Sequence, residues 1–140
     1  MNVFIVGTSF KTAQALDRKR LNKQIIECQQ MLRAIDGAKA WHNHPCTIQY
    51  RQYREWLELY TLCLVAYRNG HDRCAVTWSM MAEDVRPLFH TTEYFDQMKR
   101  RLYTKDPVHY AQWANLGISD TNWYFVNDEW RYYRKGKRIN

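Results

Sequence analysis

Arg20, Lys23, Gln24 and Glu27 are separated by three or four positions around one turn, a spacing that gathers their side chains on one helical face. A carboxylate set among cations can act on a sugar while the cations hold flanking phosphates. The same residues also make an ordinary solvated face with a Lys23–Glu27 pair, and composition leaves both readings open. A second group lies near the carboxy terminus, where Trp130, Arg131, Tyr132, Tyr133, Arg134, Lys135, Lys137 and Arg138 interleave rings with cations and no acid. Such a run can stack on exposed bases and neutralise phosphates, or it can be a basic tail whose rings pack on the body. Lys99, Arg100 and Arg101, with Lys105, form either a further phosphate-contacting patch or a wet face.

Two histidine patterns mimic known sites without their geometry. His42-Asn43-His44 spells out the letters of a nuclease motif, but in those nucleases the three residues are dispersed over a strand–strand–helix finger, and adjacent residues cannot fill those places. His42, His44 and Cys46 alternate without a second ligand cluster, which makes a poor tetrahedral zinc site, so no metal or other cofactor is expected. His44-Pro45 instead shapes a loop, with the imidazole either in a structural hydrogen bond or facing a site cleft.

The elements that must position these residues are mostly helical. Val3–Val6 is short and β-branched and reads as a buried extended segment. Thr8 and Ser9 are cap candidates for a helix to about Leu16, and Asp17 for a longer one to about Asp36, ended by Gly37. In that second helix Leu21, Ile25, Cys28, Leu32 and Ile35 form the inward stripe. Pro45 stands near the start of the next helix. The clearest rhythm is Tyr53, Trp56, Leu57, Tyr60, Cys63, Leu64 and Tyr67, broken by Gly70. Asp72 caps a shorter helix stopped by Pro87, and Thr92 opens another with Phe95, Met98 and Leu102 inward. Asp106-Pro107 predicts a short helix to about Ala114. Trp123–Val126 and Trp130–Tyr133 flank Asn127-Asp128-Glu129 as a small hairpin or an irregular aromatic tail. The expected fold is an all-α, mainly helical single domain over residues 1–140, a helix bundle with an extended N-terminal segment and that aromatic-basic tail.

Length and charge agree with this reading. The 140 residues, 46% of them hydrophobic, suffice for one core without a staple. Twenty-one Lys and Arg against 14 Asp and Glu give a formal charge of +7, which favours a polyanionic partner, nucleic acid before membrane. No apolar stretch approaches a membrane span, and Val3–Val6 is too short for a secretory signal, so a cytoplasmic protein is expected. Cys28, Cys46, Cys63 and Cys74 have no paired spacing and read as free thiols.

The set Leu16-Asp17, Arg20-Leu21, Lys23-Gln24, Glu27, Trp41-His42-Asn43-His44-Pro45 and Tyr50 resembles the pyrimidine-dimer DNA glycosylase family, the phage endonuclease V relatives. Lys99–Asp106 and the aromatic-basic carboxy terminus are similar to the same group. The resemblance implies a monomer acting on double-stranded DNA, in the host cytoplasm if phage-encoded. It further implies base extrusion, cleavage of the glycosidic bond and nicking of the abasic site. In that family the nucleophile is the amino-terminal α-amine, assisted by a carboxylate on the first long helix. An α-amine with a pKa of about 8 is substantially neutral near physiological pH, so the chemistry needs no metal. Carried over, Glu27 is the carboxylate, with Arg20, Lys23, Gln24 and His44 among the DNA contacts. The archetype exposes its second residue by methionine removal. Here Asn2 is a bulky neighbour that disfavours trimming, so the amine belongs to Met1, or to Asn2 if trimming occurs. A scaffold that binds nucleic acid without chemistry, and a host-interaction protein of a phage, are the alternatives.

Overall fold

The computed structural model describes residues 1–140 as two compact units, Met1–Pro87 and Leu88–Asn140. The first contains α1 (Ser9–Ala15), α2 (Arg18–Ile35), α3 (Pro45–Tyr50), α4 (Arg54–Arg68) and α5 (Asp72–Asp84). α4 is its hub and packs on α1, α2 and α5. The periodicity explains why: Trp56, Leu57, Tyr60, Cys63 and Leu64 are buried along one side, and the Tyr50, Trp56 and Tyr60 rings stack at 5.4 and 4.8 Å. A smaller cluster of Cys63, Ala66 and Ala75, flanked by Phe10, Tyr67 and Trp78, joins α4 to α5.

Local chemistry sets the helix ends. Thr8 caps α1 by accepting from the Lys11 N–H. Asp17 occupies the N-cap position of α2, but its carboxylate pairs with Arg20 at 3.3 Å and makes no cap bond. His44 caps α3 with Pro45 in the first turn. Asp72 is the first residue of α5 rather than its cap, because His71 holds the N-cap position.

Residues 3–5 are buried and belong to no helix or strand, and the chain bends at Val6. The backbone there is satisfied by side chains. The Phe4 N–H donates to Gln24 Oε1, Gln24 Nε2 donates to the Asn2 carbonyl at 2.8 Å, and Tyr60 Oη donates to the Phe4 carbonyl.

The second unit contains α6 (Thr92–Lys105) and strands β1 (Thr121–Val126), β2 (Glu129–Arg134) and β3 (Lys137–Arg138). The strands form an antiparallel sheet in the order β1-β2-β3, which corrects the all-α expectation: the fold is mainly helical with a carboxy-terminal sheet. Turn geometry is the reason. Asn127 and Asp128 (φ 53° and 61°), then Lys135 and Gly136 (φ 50° and 77°), are left-handed pairs that match the twist of paired strands. Trp130, Tyr132 and Tyr133 between the turns, and Thr121 and Val126 in β1, favour the extended state. The helix expected after Asp106-Pro107 is also corrected. Residues 107–110 form turns, and a 3-10 segment follows over Ala111–Leu116, closed by Gly117 at φ 86°. No helix of the chain is long and apolar enough to cross a membrane.

Candidate active site

The side-chain clamp on residues 2–4 decides where the chain begins in space. Gln24 lies on the inward stripe of α2, three residues beyond Leu21 and four before Cys28, and is only 2% exposed. It acts there as a substitute strand partner, and Tyr60 of α4 holds the same segment from another side. From α3 the Cys46 thiol is hydrogen-bonded by the Val3 backbone. Three helices therefore fix the approach to Met1.

Around Cys46 the charged groups converge. Burial pushes this thiol up to about 12, the amino-terminal charge draws it down, and the Glu27 carboxylate raises it again. The amine and the carboxylate thus each act on this sulfur, with opposite sign. The same amino-terminal charge acts on His44. Burial first and that positive charge second hold His44 down at about 4, so its ring is neutral through the physiological range. His44 Nδ1 accepts from the Cys46 N–H at 3.0 Å, which leaves the ring proton of the neutral form on Nε2. Trp41 stands edge-on to this ring at 5.8 Å.

The electrostatics link the amino-terminal charge to His44 and Cys46, and Glu27 to Cys46. Asn2 is buried, with its carbonyl held by Gln24. Arg20 is half-buried against Asp17, whereas Lys23 is exposed. In the second unit Lys99 approaches Asp96 at 3.7 Å and lies over the Trp113 ring. Arg100 donates to the Leu116 carbonyl at 2.9 Å and Arg101 to the Ser119 carbonyl at 3.0 Å, so both tie the loop before β1 to α6.

The aromatic-basic residues divide between the two faces of the sheet. Trp130 and Tyr132 pair across from Phe125 and Trp123 on one face, and Arg131 and Tyr133 pair across from Tyr124 and Asn122 on the other. Arg131 is bonded to Glu129 and Arg134 to Asp120. Lys135 in the turn and Lys137 on β3 are exposed. Cys46, Tyr60 and Trp41 were not marked by the sequence as site residues. For Cys46 and Tyr60 the available signal is their place on buried helical faces, which reads as core.

Residues 1–67 match the model of the Pyrimidine dimer DNA glycosylase family. The family resemblance is borne out over that stretch. It runs from the amino terminus to Tyr67 in α4 and so contains the clamp, Glu27 and the His44 loop. The pyrimidine dimer DNA glycosylase match supports an enzyme of DNA repair with DNA as its substrate. No curated protein and no solved structure matches the chain.

Proposed function

We propose that the chain is a DNA glycosylase that releases damaged or modified pyrimidines from duplex DNA and then cleaves the abasic site. The α-amine of Met1 acts as nucleophile and Glu27 as the assisting carboxylate. The observation that carries this reading is the family match over residues 1–67, the stretch that holds the clamped amino terminus and Glu27.

The amine lone pair attacks C1′ of the sugar, and the bond from C1′ to the base breaks with its electron pair leaving on the base, which takes up a proton from solvent. Glu27 accepts one proton from the resulting ammonium and returns it to the ring oxygen as the ring opens, giving an iminium link between chain and sugar. Loss of a C2′ proton then expels the 3′ phosphate with the C–O electron pair. Lys23, exposed one turn before Glu27, neutralises a flanking phosphate, while Gln24 positions the amine through the Asn2 and Phe4 backbone. Exposed Lys135 and Lys137 bind further phosphates.

The test is base release. Duplexes carrying one pyrimidine dimer, or a panel of oxidised and alkylated pyrimidines, should lose the altered base without added metal. Retention of every base on the panel would remove the glycosylase reading.

A further inference from the structure

Trp41 has φ 64° and is 47% exposed. Both properties are unfavourable for this residue. The left-handed backbone crowds Cβ against the carbonyl oxygen, and the indole leaves a large apolar area in water. The conformation is held from outside the residue. The His42 N–H donates to the Lys39 carbonyl at 3.2 Å and the His44 N–H to the Trp41 carbonyl at 3.1 Å. His42 Nδ1 lies 3.1 Å from the Ala34 carbonyl, and Arg51 donates to the His42 carbonyl at 2.8 Å. A loop so determined holds the ring exposed, and such strain collects at binding and catalytic sites.

The ring borders the candidate site, being edge-on to His44, on which the amino-terminal charge acts. An indole at that margin offers a flat, uncharged surface, and Arg51, bonded to the adjoining His42 carbonyl, puts a cation on the same loop. The matching ligand is an equally flat ring carried on a sugar-phosphate chain, because stacking needs a π-face and a cation favours a phosphate. We propose that Trp41, backed by His44, is the stacking wall that receives the unstacked pyrimidine of the substrate and so selects positions where a base has left the helix. For its place in a reaction the proposal rests on the glycosylase reading; the stacking itself does not.

The experiment compares the full chain with Trp41→Gly, Trp41→Asn and Trp41→Tyr. Glycine and asparagine tolerate φ 64°, so the first two should fold with an unchanged or raised melting temperature. Binding is followed by fluorescence anisotropy on a fully paired duplex and on the same duplex with one central mismatched thymine. The wild-type chain should prefer the mismatch. Trp41→Gly and Trp41→Asn should lose roughly tenfold on the mismatched duplex only, and Trp41→Tyr should retain most of the preference. Equal loss on both duplexes, or no loss, would overturn the proposal, as would self-association of the chain that depends on Trp41. No bond is cleaved in this measurement. A Trp41-dependent preference in a chain that releases no base would therefore refute the glycosylase reading and uphold the stacking wall. Undiminished base release by Trp41→Gly would do the reverse.

Discussion

Gln24 Nε2 stands 2.8 Å from the carbonyl oxygen of Asn2, and the same carboxamide accepts the N–H of Phe4, so a helix side chain does for the first residues what a neighbouring strand would do in a sheet. Replacing it with an apolar side chain of similar volume leaves two buried backbone groups without that partner. Gln24→Met should cost about 1–3 kcal/mol in denaturant unfolding and should slow base release by loosening the amine. A variant with wild-type stability and turnover would show that the clamp is dispensable.

Glu27→Gln separates chemistry from grip. If the carboxylate shuttles the proton from amine to ring oxygen, turnover should fall about 10²- to 10⁴-fold. Affinity for duplex DNA should stay the same or rise slightly, because a negative charge near the phosphates has been removed. Single-turnover rates and anisotropy on one substrate read both quantities, and an unaltered rate would take Glu27 out of the reaction.

His44 links pH to stability. Its folded pKa of about 4 lies below the ordinary 6.5, so between those values the folded chain binds fewer protons than the unfolded one. The stability this group contributes is fully present above pH 6.5 and is lost progressively as pH falls from there toward 4. Asp36, held below its ordinary value by the hydrogen bond from Arg54, acts in the same direction at lower pH. His44→Asn keeps a capping acceptor and removes the titration, so its unfolding free energy should change less between pH 7 and pH 5 than that of the wild type. Parallel curves for the two proteins would contradict the assignment.

Much of the first unit was legible in the residues. Trp56, Leu57, Tyr60, Cys63 and Leu64 announce α4 because helical spacing and burial coincide there, and His44-Pro45 announces the start of α3. Gln24 was harder. Its polarity grouped it with Arg20, Lys23 and Glu27, although its spacing from Leu21 and Cys28 places it on the inward stripe, and only the amino-terminal segment it clamps explains a buried amide. The sheet was half legible: Asn127-Asp128 is a turn signal, but nothing in Lys135-Gly136-Lys137 foretold a third strand, since a charged two-residue strand carries no hydrophobic alternation. Nor could spacing reveal that Arg100 and Arg101 hold carbonyls of the loop before β1, because that pairing is set by the tertiary path of residues 116–119.

Lys135 and Lys137 offer a test of the electrostatic part. Changing both to alanine should weaken binding to all duplex sequences alike and lower the slope of log affinity against log salt by about 2, one for each phosphate that is no longer neutralised. An unchanged slope would place the DNA-binding cations elsewhere.

Borohydride reduction during reaction with a duplex that carries a single abasic site reaches the covalent step itself. An amino-terminal nucleophile should give a stable protein–DNA adduct whose digestion maps the attached sugar to the α-amine of Met1, with the yield cut sharply in Glu27→Gln. Absence of any adduct, or its attachment to a lysine side chain, would contradict an amino-terminal nucleophile.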